Sequence, residues 1–238
     1  MQAVVLAAGK GTRLRPLTDE KPKALVEVAE KPILTRCFEN ALELDAEELV
    51  VVVGYEGKRI RERYGASFSG VPITYVRQDE QLGMAHALLQ AKPYVEGDFM
   101  CFDGDCVIRA DLHPLVTRQR EAGVDAVQQV EEVPTEAARV KAICDVTDGG
   151  ELLGIEKQPD DPPEPSLIAA GFAVYSPSIF EACAETELSV RGEYELAESI
   201  ERFVAENTML VGQTDGWTVN VNTPAERDDA EQRLVGNR

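Results

Sequence analysis

The stretch that decides the fold is Leu6-Ala7-Ala8-Gly9-Lys10-Gly11-Thr12-Arg13-Leu14-Arg15-Pro16-Leu17-Thr18, with Lys21-Pro22-Lys23 just beyond it. It follows an apolar run, Ala3-Val4-Val5-Leu6, that predicts a buried first strand. Its two glycines let the backbone approach a flat or anionic molecule closely. Its cations include Lys10, Arg13 and Lys23. A glycine-rich turn presents backbone N–H groups to an anion, and arginine offers a planar fork to phosphate oxygens. The sequence therefore predicts a polyphosphate site.

Two common phosphate-binding loops are excluded by spacing. A P-loop requires Gly-x-x-x-x-Gly-Lys-Ser/Thr, and this spacing does not occur in the sequence. The dinucleotide fingerprint requires Gly-x-Gly-x-x-Gly/Ala; Gly9 and Gly11 fit it, but Leu14 stands at the third position. The loop therefore belongs to neither of these classes.

Composition limits the kinds of partner. The chain has 238 residues, 44% of them hydrophobic, and a formal net charge of −19 from 43 acidic and 24 basic residues. Such an acidic surface is typical of a protein that stays soluble at high salt, where its self-repulsion is screened. It argues against binding to nucleic acid or to an anionic membrane. The expected partners are small molecules.

The cysteines and the absence of targeting signals indicate a reducing compartment. The five cysteines are scattered and form no Cys-x-x-Cys pair, so neither a disulfide framework nor a zinc site is indicated. The sequence shows no signal peptide and no apolar run long enough to span a membrane. A cytoplasmic protein is expected.

The order of apolar runs predicts an α/β fold. Strands at Ala3–Leu6, 49–53, 73–76 and 99–102 alternate with helices at 33–44, 58–64 and 84–91. This rhythm is typical of a Rossmann-like open sheet, mostly parallel, with helices on both faces and ligands at the carboxyl ends of the strands. After residue 110 strands follow one another without helices between them, which predicts a mixed sheet. We expect one domain over residues 1–238 with two lobes, 1–110 and 111–238.

The opening stretch, taken with Lys21-Pro22-Lys23, closely resembles the sugar-1-phosphate nucleotidylyltransferases, and later motifs extend the resemblance along the chain. It implies the nucleotide-diphospho-sugar transferase fold, with a nucleotide-binding lobe before residue 110 and a sugar-phosphate-binding lobe after it. The short forms that make UDP-glucose or dTDP-glucose are the most similar. Since only about fifteen residues follow Pro224, no C-terminal β-helix domain is expected. Members often form dimers or tetramers, so a homo-oligomer is an expectation of the resemblance.

A metal site is predicted where an apolar strand ends in Asp103-Gly104-Asp105. Two carboxylates at a strand end suit Mg²⁺, which takes one or two carboxylates and leaves its other positions to water and phosphate. The resemblance assigns Asp105 as the metal ligand and places the second ligand at Asn220, where the family commonly has aspartate. The alternative for Asn220 is a purely structural role, and Asn222 or Thr223 is expected to cap a helix that begins at Pro224.

The remaining site residues are also implied by the resemblance. For the nucleotide they are Leu6, Ala7, Ala8, Gly9, Lys10, Gly11, Thr12, Gln78 and Gly83. For the sugar they are Glu156, Gly171 and Glu193. Arg13, Lys23 and Lys157 are the catalytic cations. A glutamine amide can donate and accept at a uracil or thymine edge, whereas His86 and His113 are expected to be structural.

The implied reaction is attack by a sugar 1-phosphate on the α-phosphorus of a nucleoside triphosphate, with pyrophosphate leaving. The attacking phosphate is already ionised, so no general base is needed, and catalysis consists of positioning and charge stabilisation. UTP and glucose 1-phosphate are favoured, feeding nucleotide sugar into glycan synthesis or protein glycosylation. The alternatives are a dTTP-dependent thymidylyltransferase, a mannose-1-phosphate enzyme that uses GTP, and a non-catalytic homologue that binds nucleotide sugar.

Overall fold

The computed structural model describes residues 1–139, 141–157 and 161–236. The strands are β1 (Gln2–Ala7), β2 (Glu27–Val28), β3 (Lys31–Pro32), β4 (Glu48–Val53), β5 (Ser67–Phe68), β6 (Val71–Arg77), β7 (Phe99–Asp103), β8 (Cys106–Ala110), β9 (Ala126–Val133), β10 (Ala142–Val146), β11 (Leu152–Lys157), β12 (Ser166–Tyr175), β13 (Met209–Gln213) and β14 (Gly216–Asn220). The helices are α1 (Ile33–Glu43), α2 (Gly57–Tyr64), α3 (Met84–Ala91), α4 (His113–Ala122), α5 (Thr135–Ala138), α6 (Ile179–Glu185), α7 (Leu196–Val204) and α8 (Pro224–Gly236).

A ten-stranded sheet runs through the molecule in the order β11-β10-β12-β7-β1-β4-β6-β5, and β9 joins it by pairing with β12 and β13. Strands β7, β1, β4 and β6 are parallel, whereas β12 is antiparallel to β7. The register sets Leu6 beside both Asp103 and Val52. The strand ends that carry the predicted site therefore meet at one edge, and the predicted mixed, mostly parallel sheet is confirmed.

Both faces of the central strands are buried, as their continuous apolar sequence predicts. In β1, Val5 packs into the core on one face, where α1, α4 and α8 lie, and Val4 packs into the core on the other, where α3, α6 and α7 lie. Because each strand end is fixed from two sides, the loops that follow are held on a rigid base.

The second half is added to the same sheet. Strand β12 pairs with β7 through Phe172 and Phe102, so the two predicted lobes share one continuous sheet. The pairing of β9 with β12 shifts register between Ala169 and Ala173. Ala169 pairs with Val130 and Ala173 with Gln128, so three residues of β12, 170–172, stand against the single residue Gln129 of β9.

A two-stranded sheet of β8 and β14 closes the strand-end edge. The pairing sets Asn220 opposite Cys106, and the Val221 N–H donates to the Asp105 carbonyl at 2.9 Å. Strand β8 was not predicted from the sequence because it follows β7 after the two-residue turn Gly104-Asp105, which was interpreted as part of a metal site. It brings the C-terminal segment to the aspartates although more than a hundred residues separate them in the chain.

Most predicted elements are present with ends shifted by one or two residues. Strand β13 was not predicted. The sequence predicts a helix over about 194–206, but α7 begins at Leu196, because the Tyr194 backbone is hydrogen-bonded to Leu82 and Ala85 instead. Residues 158–165 are the one stretch whose sequence suggests a linker, and they lie partly outside the described residues. None of the described helices is long and apolar enough to span a membrane.

Candidate active site

A cleft of about 550 Å³, here called the phosphate cleft, lies at the edge where β1, β6 and β7 end. It gathers most of the residues predicted from the sequence: Leu6, Ala7, Ala8, Gly9, Lys10, Gly11, Thr12, Arg13, Lys23, Gln78, Gly83, Asp105 and Glu193. It also contains Asp103 of the predicted metal motif, together with Gln81, Met84 and Asn222, which were not assigned to the site from the sequence. The cleft therefore brings together residues from six separate segments of the chain.

The glycine-rich loop is held in place by its own second half. Gly11 adopts a left-handed conformation (φ 66°), and a Cβ there would lie 2.9 Å from Cβ of Lys23. The Thr18 hydroxyl donates to the Gly11 carbonyl at 2.8 Å. A side chain at residue 11 would be strained by its backbone and would push Lys23 away, so the glycine lets the two cationic segments pack together.

Four polar side chains meet at the centre of the cleft. The Lys23 ammonium lies 2.6 Å from Oδ2 of Asp105 and 2.8 Å from Oδ1 of Asn222. Arg13 donates to the same Asn222 oxygen at 3.0 Å. Lys23 is almost fully buried, with a side chain 10% exposed, whereas Asp105 retains 29% exposure. The arrangement places two cations and one carboxylate where the oxygens of a polyphosphate can reach all three.

Asn222 is free for this contact because Thr223 caps helix α8. The Thr223 N–H donates to Glu226 Oε2 at 2.8 Å, and the Glu226 N–H donates back to the Thr223 hydroxyl at 3.3 Å. This reciprocal pair is a capping box. Of the two cap candidates in the sequence, Thr223 is the one used, and Asn222 points its amide into the cleft.

The two aspartates form the acidic part of the site. Burial, and then the nearby charge of Asp105, raise the pKa of Asp103 well above its ordinary range, and Lys23 opposes that shift. A ligand atom of Asp103, of Asp105 and of Cys106 all lie within 4.8 Å of one another. The carboxylates of Asp103 and Asp105 supply hard oxygen donors, which fit a divalent cation such as Mg²⁺.

Asn220, the second predicted ligand, lies on the far side of Cys106. Its Oδ1 is 3.1 Å from the Cys106 sulfur, which is in turn 3.5 Å from Asp105 Oδ1. Burial, followed by the two aspartate charges, raises the pKa of the Cys106 thiol, so this thiol is protonated and is not a nucleophile. Whether Asn220 ligates a metal stays a prediction.

A second cavity of about 410 Å³ adjoins the phosphate cleft and shares Met84 and Asp103 with it. Its polar lining consists of Asp103, Gln128, Lys141, Arg191, Glu195 and Asn220. Among the predicted sugar residues, Gly171 lies beside this cavity: its neighbours Ala170 and Phe172 line it, and a Cβ on Gly171 would be 2.3 Å from the Cys106 sulfur.

The other predicted sugar residues are placed differently. Glu193 lines the phosphate cleft because the Tyr194 N–H donates to the Leu82 carbonyl at 2.7 Å, which ties this segment to the turn before α3. Glu156 is exposed on β11 and is not among the described residues that line either cavity, although Ile155 is. The side chain of Lys157 lies outside the described part of the chain.

The nucleobase end of the cleft is built by the turn between β6 and α3. Gln78 is anchored by its own N–H, which donates to the Val53 carbonyl at 2.8 Å. The Gln81 amide donates to the Ala8 carbonyl at 2.6 Å and so connects this turn to the glycine-rich loop. His86, expected to be structural, has its Nδ1 2.9 Å from the Gln78 amide nitrogen.

Fold and site together define a nucleotidyltransferase. The chain belongs to the nucleotidyl transferase family, whose model matches residues 2–218. It is 48% identical over 235 residues to the UTP–glucose-1-phosphate uridylyltransferase AglF of Haloferax volcanii, covering 98% of this chain and 96% of AglF. It is 34% identical over 203 residues to a glucose-1-phosphate thymidylyltransferase of Streptomyces griseus, covering 84% of this chain and 56% of that protein.

Solved structures show the same fold at low sequence identity. A UDP-glucose pyrophosphorylase complexed with UDP-glucose superposes with a TM-score of 0.89 at 20% identity, over 100% of this chain and 99% of that one. A UTP-bound UGPase from Acinetobacter baumannii gives a TM-score of 0.85 at 23% identity, over 100% and 94%. The predicted fold is therefore confirmed.

Proposed function

We propose that this protein transfers uridylyl from UTP to glucose 1-phosphate, giving UDP-glucose and pyrophosphate for glycan synthesis. The observation that carries the proposal is the meeting of Arg13, Lys23 and Asp105 in one cleft that opens onto a second polar cavity. A triphosphate and a sugar phosphate need adjoining sites of this kind. The 48% identity to AglF over nearly the whole chain supports the choice of UTP and glucose 1-phosphate.

The residues act mainly by positioning and charge. The attacking phosphate is already an anion, so the difficulty is to bring it against a polyanion, and cations on both reactants relieve that repulsion. Arg13, exposed on the loop, holds the oxygens of the departing pyrophosphate. Lys23 holds the α-phosphate, and Lys157 stays the proposed contact for the sugar phosphate.

Asp105, with Asp103 beside it, is the proposed holder of a Mg²⁺ ion. When bound, Mg²⁺ neutralises phosphate charge and orients the triphosphate. The Lys23 ammonium occupies Asp105 Oδ2 in the described structure. Asn222 gives that ammonium a second acceptor at 2.8 Å, which lets Lys23 pivot towards phosphate without losing all its partners.

Three further expectations, which concern the two lobes, the cellular compartment and the oligomeric state, stay proposals. We assign residues 1–110 to nucleotide binding and 111–238 to sugar-phosphate binding within one domain. We further propose that the enzyme works in the cytoplasm. A homo-oligomer is proposed only from the resemblance to the family.

The test is pyrophosphate release, measured with a coupled assay across UTP, dTTP, GTP and ATP, each with glucose, galactose and mannose 1-phosphates. The highest kcat/KM is expected for UTP with glucose 1-phosphate, and none without a divalent ion. A preference for dTTP would favour the thymidylyltransferase alternative, which the similarity to the Streptomyces griseus enzyme supports. Calorimetric binding of UDP-glucose with no pyrophosphate release from any pair would overturn the catalytic proposal.

A further inference from the structure

The side-chain amide of Gln78 has both of its N–H groups engaged. Its nitrogen lies 3.1 Å from the Gly83 carbonyl oxygen and 2.9 Å from His86 Nδ1. An amide nitrogen has two hydrogens, so two acceptors use its full donor capacity. What Gln78 can still offer to a ligand in the phosphate cleft is therefore the acceptor Oε1.

The orientation of this amide follows from its neighbours. Rotating the amide by 180° would set Oε1 about 3 Å from the Gly83 carbonyl, with two acceptors facing each other. Gly83 thus fixes the nitrogen on its side, so His86 Nδ1 accepts at 2.9 Å and the ring proton is on Nε2. The Gln90 amide nitrogen, 3.3 Å from Nε2, then makes no hydrogen bond to the ring and donates to the His86 carbonyl. The His86 ring is itself held on α3 beside Tyr194, with ring centroids 6.2 Å apart.

We propose that His86 is a positioning residue that sets nucleobase selectivity through Gln78, a proposal that rests on the proposed uridylyltransferase function. With Oε1 as the free group, the site accepts a hydrogen bond from the N3–H of uracil or thymine. Cytosine carries an acceptor at N3, so it would face Oε1 with a lone pair. The class of substrate recognised is a pyrimidine with a donor at N3.

The expected change in nucleobase selectivity follows from the number of acceptors that hold the Gln78 amide. Without His86 Nδ1, only the Gly83 carbonyl opposes rotation of the amide, and a rotated Gln78 donates to cytosine N3. One neutral hydrogen bond contributes about 1 kcal/mol, which corresponds to roughly a fivefold change in a ratio of rate constants. The ratio of kcat/KM for UTP to that for CTP should therefore fall about fivefold in His86→Leu.

The experiment compares His86→Leu with His86→Asn. An asparagine at residue 86 can place Oδ1 near the position of Nδ1, so it keeps an acceptor for the Gln78 amide. We expect His86→Asn to hold the UTP/CTP ratio near that of the wild type, while His86→Leu lowers it. A matched control is Gln90→Ala, which removes the amide 3.3 Å from the other ring nitrogen and should leave the ratio unchanged.

The UTP/dTTP ratio supplies an internal control, since uracil and thymine present the same N3–H. It should be unchanged in every variant. A loss of folding or of general activity lowers all nucleotides together and cannot imitate a change in the UTP/CTP ratio alone. If His86→Leu is insoluble, His86→Ala, which likewise offers no acceptor to the Gln78 amide, takes its place with the same expectation.

The inference is overturned if His86→Leu keeps the wild-type UTP/CTP ratio, or if His86→Asn loses it to the same extent. Either result from a wild type that prefers UTP would leave the proposed function intact. A wild type that uses neither UTP nor dTTP would instead overturn the proposed function.

Discussion

Replacing Lys23 by methionine tests the centre of the site. Methionine keeps the length and apolar stem of the side chain and removes only the ammonium. The direct attraction between Lys23 and Asp105 at 2.6 Å is about 6 kcal/mol at an effective dielectric constant near 20. Most of it offsets the cost of taking both charges out of water.

The net loss of stability in Lys23→Met depends on how well the Asp105 carboxylate is compensated once its partner is gone. Asp105 would face Asp103 with no cation between them, but its partial exposure lets water compensate. We therefore expect the free energy of unfolding to fall by about 2 kcal/mol, below the 3–5 kcal/mol of a fully buried pair. Mg²⁺ should restore part of this loss, because it takes the place of the ammonium beside Asp105.

In Lys23→Met, turnover should fall while the affinity for Mg²⁺ rises. With its competitor for Asp105 removed, Mg²⁺ is expected to bind the variant more tightly than the wild type, while kcat falls about 100-fold because a phosphate contact is lost. The measurements are urea unfolding with and without Mg²⁺ and pyrophosphate release. The control is Lys10→Met, an exposed cation of the same cleft, whose stability should stay within about 0.5 kcal/mol of the wild type. A Lys23→Met variant with wild-type stability, no gain from Mg²⁺ and full turnover would refute this reasoning.

Three further outcomes are expected. Asp103→Asn should stabilise the metal-free protein relative to the wild type at about pH 8 and not at about pH 4. The pKa of Asp103 is higher in the folded than in the unfolded protein, so this carboxyl costs stability only at a pH where it would ionise. Equal urea midpoints for the variant and the wild type at both pH values would contradict this. Gly171→Ala should lower the free energy of unfolding by about 1–3 kcal/mol, and adding Cys106→Ala should recover part of it; the same loss in both variants would exclude the sulfur as the obstacle. The thermal midpoint should rise with KCl because salt screens the net charge of −19, and a flat or falling midpoint would oppose the high-salt interpretation.

Local sequence was enough to predict the phosphate cleft because its chemistry is nearly contiguous. Glycines, cations and an apolar strand occur within one segment, and Asp105 directly follows another strand. The parallel sheet then brings the two segments together, since Leu6 and Asp103 are register partners. The position of a residue that directly follows a parallel strand can therefore be predicted from the fold class and from where the strand ends.

Residues positioned by long-range pairing were not predictable in this way. Asn222 contacts Arg13, which lies 209 residues away in the sequence. From the sequence, the position of Asn222 just before a helix predicts a cap. Its contact with Arg13 depends on the pairing of β8 with β14. His86 lies on a helix whose apolar face suggests packing, and its contact with Gln78 depends on the turn at Gly83. Glu193 was expected in the site as a sugar residue, but its place in the phosphate cleft is set by hydrogen bonds of Tyr194 to the same turn.

The most direct test is the turnover of purified Asp105→Ala with UTP, glucose 1-phosphate and Mg²⁺, after circular dichroism has established that the variant is folded. Pyrophosphate release is expected to fall by at least about 100-fold, with no recovery at higher substrate concentration, because the carboxylate that holds the metal is gone. A folded Asp105→Ala that releases pyrophosphate at the wild-type rate would contradict the assignment of this cleft as a metal-assisted nucleotidyl-transfer site.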